Sequence, residues 1–99
     1  MIKHIVMFRL KGQDDDAKKR EIVNELISIF SPLKKLEPVR DYVVGVNFNK
    51  SDSAWDFVID SVFENRDDLN SYQVSAEHRE AIAKASPYDK EKAVVDYEY

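Results

Sequence analysis

Apolar side chains recur along the chain with two different periods, and the switches between them set the order of the elements. From Ile2 to Leu10 the even positions (Ile2, His4, Val6, Phe8, Leu10) and the odd ones (Ile5, Met7) both carry apolar groups, which predicts a strand buried on both faces and ending at Gly12. The polar run Gly12 to Asp16 leads into a helical spacing: Ile22, Leu26, Ile29, Phe30 and Leu33, widened by Val23 and Ile27. This predicts a helix from about Asp15 to Phe30, with Asp14 or Asp15 as N-cap and Ser31-Pro32 as its stop. Val39 to Phe48 resumes β character around Gly45, where a bulge or a close backbone approach is expected. After the turn cluster 49–53, a third strand spans Trp55 to Phe63. Asn65 to Ser86 reads as helical, closed by Pro87, and Lys92 to Tyr99 reads as a last strand.

The order β-α-β-β-α-β predicts an α+β fold, a ferredoxin-like sandwich with helices on one face of a four-stranded antiparallel sheet. The whole chain, 1–99, reads as one domain without repeats or linkers. The helices cover a single face, yet Ile5 and Met7 oppose Val6 and Phe8, Val43 opposes Val44, and Val58 opposes Ile59. A homodimer through the open sheet face is therefore expected, the alternative being an unusually apolar free face.

Composition removes several classes of chemistry. There is no cysteine, so thiolate nucleophiles, disulfides and Cys-ligated metals are out. A net charge of −4 argues against a nucleic-acid partner. The first ten residues, broken by Lys3, His4 and Arg9, do not read as a signal peptide, and no apolar run is long enough to span a membrane. The expectation is a cytoplasmic domain with no membrane partner. No phosphate loop, metal-spaced histidine pair or Ser-His-Asp arrangement is present, so neither a metal site nor a cofactor is expected. Asp14 to Asp16 reads as helix-start charge or as a weak cation site, and Tyr42 and Trp55 as core or pocket aromatics.

The two histidines remain as proton-transfer candidates. His4 shares parity with Val6 and Phe8 and reads as a core histidine bonded to backbone. His78 reads either as a surface group in a first helical turn or as a pocket group. On one unbroken helix Tyr72 and His78 would lie about 600° apart and on different faces. Ser75, however, is a good N-cap, and a helix break there would let both residues turn toward one cavity.

Five segments together resemble the stress-responsive α/β-barrel (Dabb) family. They are His4 to Phe8, Val44-Gly45-Val46-Asn47, Val62-Phe63-Glu64 running into Asp68 to Tyr72, Ser75-Ala76-Glu77-His78, and Val94-Val95-Asp96-Tyr97. The resemblance spans essentially the whole chain and implies a ferredoxin-like protomer whose dimer closes into an α/β barrel. Most members have no established activity, but one plant member catalyses a cofactor-free aldol cyclisation with a tyrosine and a histidine as its acid/base pair. Tyr72 and His78 match those positions, and His4 matches a first-strand histidine. That enzyme's third-strand pocket histidine is Phe57 here, and Ser75-Ala76 stands where the family commonly has His-Pro, so a polyketide substrate is not implied. The expected pocket is lined by His4, Val6, Phe8 and Phe57 for substrate binding, with Tyr72 and His78 as catalytic residues acting without a cofactor on a small carbonyl compound, in lyase or isomerase chemistry. Two other functions stand beside this one. One is a non-catalytic ligand-binding or stress-protective dimer; the other, by fold analogy, is a cofactor-free monooxygenase.

Overall fold

A computed structural model describes residues 1–99. Its elements are β1 (Ile2–Leu10), α1 (Asp16–Phe30), a 3₁₀ turn (Ser31–Lys35), β2 (Val39–Val46), β3 (Phe57–Phe63), α2 (Arg66–Val74), α3 (Ala76–Ala85) and β4 (Lys90–Glu98). The four strands form one sheet in the order β2-β3-β1-β4, every neighbour antiparallel. The ferredoxin-like sandwich expected from the element order is the fold observed.

Strict alternation on β1 divides the molecule. Ile2, His4, Val6, Phe8 and Leu10 are buried under the helices, and the residues between them are half-buried on the other face. The same parity continues through Phe57, Ile59, Ser61 and Phe63 on β3, and these strands pack against Val23, Leu26 and Phe30 of α1 and Leu69 and Tyr72 of α2. The core is thus a single layer between sheet and helices. On the bare face Val43 and Val95 are each 52% exposed and Tyr97 47%. Near its middle, Lys3 Nζ lies 3.1 Å from Asp60 Oδ1, an oxygen with no other partner.

Asp15 is the N-cap of α1, accepting from the backbone N–H groups of Ala17 at 2.9 Å and Lys18 at 3.3 Å. Pro32 ends α1 but does not release the chain into a loop. Its missing N–H falls in the first turn of the 3₁₀ helix, where no donor is required, so the chain tightens there. Gly45 is neither a bulge nor a close backbone approach: the register shift lies between Val39 and Asp41, and an added Cβ would meet only the Val58 side chain, Cγ1 at 3.4 Å, an ordinary contact. β2 ends at Val46, leaving Phe48 93% exposed, and β3 begins only at Phe57. Trp55 lies before that strand, with the Arg9 guanidinium 4.7 Å from its ring centre. No helix is long and apolar enough to cross a membrane.

Candidate functional site

The stretch 65–86 is two helices, and Ser75 makes the break. Its backbone is extended (φ −62°, ψ 151°), ending α2 and capping α3. The Ser75 hydroxyl donates to the Tyr72 carbonyl at 2.7 Å and accepts from the His78 N–H at 3.1 Å. A single side chain therefore ties the backbone of Tyr72 to that of His78. With the helix axis turned at this point, the two rings meet edge to face with centroids 4.8 Å apart.

Both rings line a cavity of about 70 Å³ between sheet and helices, together with His4, Val6 and Phe8 of β1. Phe57 does not reach it. Register places Phe57 opposite Phe8, at the hairpin end of the sheet, where the two rings stack at 4.9 Å and Phe8 stands between Phe57 and the cavity. The β3 residue on the wall is Ile59, opposite Val6. Inter-strand register decides this, and the periodicity of a single strand does not carry that information.

His4 is 4% exposed, and its partner is a carboxylate and not backbone: Nδ1 is bonded to Asp96 Oδ1 from the adjoining position on β4. That bond sets the ring's orientation. The His4 ring lies 6.3 Å from Tyr72. Tyr42, read only as a core or pocket aromatic, is buried and donates to the Phe30 carbonyl at 3.0 Å.

The electrostatics separate the pair's roles. Burial, reinforced by His4 and Lys92, lowers the His78 pKa below its ordinary value of 6.5, and the Gln73 carbonyl only partly opposes this. His78 is therefore neutral at pH 7 and able to accept a proton. Burial raises the Tyr72 pKa, with Tyr42 opposing, so Tyr72 keeps its proton and can donate a hydrogen bond. Tyr72 is buried while His78 is half-buried, so of the two only His78 has appreciable access to solvent.

Sequence reasoning missed Gln73, Ile82, Lys92 and Val94 on the wall, and Asp96 behind His4. The signal for the β4 residues was present. Lys92, Val94 and Asp96 share one parity, and β4 pairs with the strand that carries His4.

A ferredoxin-like α+β domain with a histidine–tyrosine cavity between sheet and helices is the class these observations define. The chain belongs to the stress-responsive A/B barrel domain family (Dabb), whose family model matches residues 2–99. It is similar to a dimeric protein of unknown function from Bacteroides fragilis, with 30% identity over 99% of this chain and 95% of that one and a TM-score of 0.83. A dimeric ferredoxin-like protein of unknown function from Thermobifida fusca is 22% identical, with TM-score 0.81, covering 99% and 90%. The hydroxynitrile lyase from Passiflora edulis shares the fold at 17% identity and TM-score 0.77, covering 97% and 90%. No curated protein matches the chain in sequence.

Proposed function

We propose that this chain is a cofactor-independent enzyme of lyase or isomerase type, working as a cytoplasmic homodimer on a small carbonyl compound. The observation that carries the reading is the contact of Tyr72 and His78 on one cavity wall, with His78 held neutral and Tyr72 held protonated. His78 takes a proton from the carbon next to the carbonyl. The electron pair of that C–H bond forms a carbon–carbon double bond, and the carbonyl pair moves onto oxygen, which the Tyr72 hydroxyl stabilises by hydrogen bonding. Return of the proton to a different atom completes an isomerisation. Deprotonation of a β-hydroxyl by the same base instead cleaves the neighbouring carbon–carbon bond. His4, Val6 and Phe8 shape the pocket, and Asp96 holds His4 in place. A hydroxynitrile lyase on the same fold supports lyase chemistry as within reach of this architecture and says nothing of the substrate here.

The dimer reading rests on the bare sheet face. Ile5, Met7, Val43, Val58, Val95 and Tyr97 form an apolar surface that a second copy would cover, sheet against sheet, closing a barrel. The description of the Bacteroides fragilis protein as dimeric supports it.

Proton transfer is tested directly with butanedione in D₂O, following loss of its methyl proton signal by NMR. The chain should accelerate this exchange, and His78→Ala should lower the acceleration by about 100-fold or more. An unchanged rate in His78→Ala removes that residue from the mechanism.

A non-catalytic, ligand-binding or stress-protective dimer is the second reading. The direct edge-to-face contact of Tyr72 and His78 favours it, because the two side chains already pack on each other. Absence of exchange with every small ketone and aldehyde, together with tight binding of one of them, would establish it.

A further inference from the structure

We propose that Lys92 makes this cavity selective for a small anionic carbonyl compound, a short oxo-carboxylate bound with its carboxylate at the β4 edge and its carbonyl over Tyr72 and His78. The inference deepens the reading of the cavity as a carbonyl site and rests on it.

Asp96, Val94 and Lys92 sit on the cavity side of β4, opposite His4, Val6 and Phe8 in turn. The two charges of this row differ in their surroundings. Asp96 is bonded to His4. Lys92 enters none of the ion pairs in the molecule, although the chain has more acidic than basic residues. Its neighbours on β4 are occupied: Glu91 pairs with Arg9, and Lys90 Nζ donates to the carbonyls of Ala85 and Tyr88. A lysine with a free ammonium group on a cavity wall is a ready point charge for a carboxylate.

The rest of the lining supports the same ligand. Val6, Phe8, Phe30, Ile59 and Ile82 are apolar and offer nothing to a charged group. Besides His4, Tyr72 and His78, the polar lining is Gln73 and Lys92, both exposed and therefore at the mouth. Gln73 adds amide N–H donors to the lysine's three. A compound small enough for the cavity thus has one place for a negative charge, and that place lies beside the proposed base. The Lys92 charge is felt at His78, where it helps to lower the imidazole's basicity.

The test compares two probes of equal heavy-atom count, pyruvate and butanedione, in which a carboxylate is exchanged for a neutral acetyl group. Each is titrated into the isotope-labelled full chain by NMR. Pyruvate should shift the His78 ring and Gln73 side-chain signals and bind about tenfold or more tightly than butanedione, the range expected for one charge-assisted hydrogen bond. Lys92→Met should abolish that preference and Lys92→Glu should reverse it. Lys84→Met removes the same charge from the outer side of α3, where Lys84 pairs with Glu80, and should retain it. Equal affinity for the two probes, no pyruvate shifts at His78 and Gln73, or a preference that survives Lys92→Met would each overturn the proposal. Proton exchange from neutral butanedione and its dependence on His78 test the carbonyl-site reading separately, whichever probe binds more tightly.

Discussion

The two faces of the sheet are built from the same alternating strands and end in opposite conditions. Under the helices, polar groups are admitted only with partners: His4 with Asp96, the Ser61 hydroxyl with the His4 carbonyl, Tyr42 with the Phe30 carbonyl. On the other face, valines and tyrosines stand half-exposed around the Lys3–Asp60 pair. A covered face can hold polar groups in a low-dielectric setting that shifts their pKa values, and an uncovered one cannot. Titratable side chains gather where cover is incomplete. The helices leave a gap beside the edge strand β4, and Tyr72, His78 and Lys92 meet at it. The bare face has the composition of an interface and carries no comparable cluster.

The contrast can be broken most strongly from the covered side. Phe63 is fully buried, and Phe63→Ala should cost about 3–5 kcal/mol, read as a lower midpoint in chemical denaturation. Next comes a pair of adjacent residues with nearly equal exposure, Val94 at 46% and Val95 at 52%, which differ in the face they occupy. If a second copy covers the open face, Val95→Asp buries an unpaired charge there and should weaken the dimer by about 3 kcal/mol, more than a hundredfold. Val94→Asp should leave the mass in solution at twice 11.5 kDa. Light scattering on both variants sharpens the assignment of faces, and equal behaviour would blur it. A smaller effect belongs to Ser75→Ala, which removes the hydroxyl tying Tyr72 to His78. It should cost about 1 kcal/mol of stability, as for other N-caps, and should weaken the nuclear Overhauser contact between the two rings. The smallest effect concerns pH. The folded chain resists protonation of His78, so the unfolded chain binds the extra proton as pH falls below about 6.5. Stability should be fullest above that value and decline beneath it, and His78→Gln should flatten the decline in denaturation curves at pH 5.5 and 7.5.

Much of this was legible in the residues. The aspartates before α1 and the serine before Ala76-Glu77-His78 each express a local rule, an N-cap, whereas β1, read as buried on both faces, is buried on one face and half-buried on the other in a single copy. Local rules survive folding because their partners lie within a few residues. What depends on distant partners was not legible. Phe57 and Ile59 have the same parity, and only the register of β3 against β1 puts the second on the cavity wall and the first behind Phe8. His4 looked like a histidine bonded to backbone because its carboxylate lies 92 residues away on β4. Lys92 and Asp96 drew no reading as site residues, because their meaning depends on which strand β4 borders. The 3₁₀ turn after Phe30 was missed for a local reason: Pro32 forbids an α-helical bond but is welcome in the first turn of a tighter helix.

Everything proposed for the cavity depends on Tyr72 and His78 forming one proton-transfer site in which His78 is neutral at physiological pH. The most direct test is the NMR titration of the His78 ring in the intact chain, with its signals assigned by their loss in His78→Gln. The midpoint should lie below 6.5, because burial, His4 and Lys92 all disfavour the imidazolium. A midpoint at or above 6.5 would contradict it, since it would mean that His78 stands in solvent or beside an anion and not on the wall of this cavity.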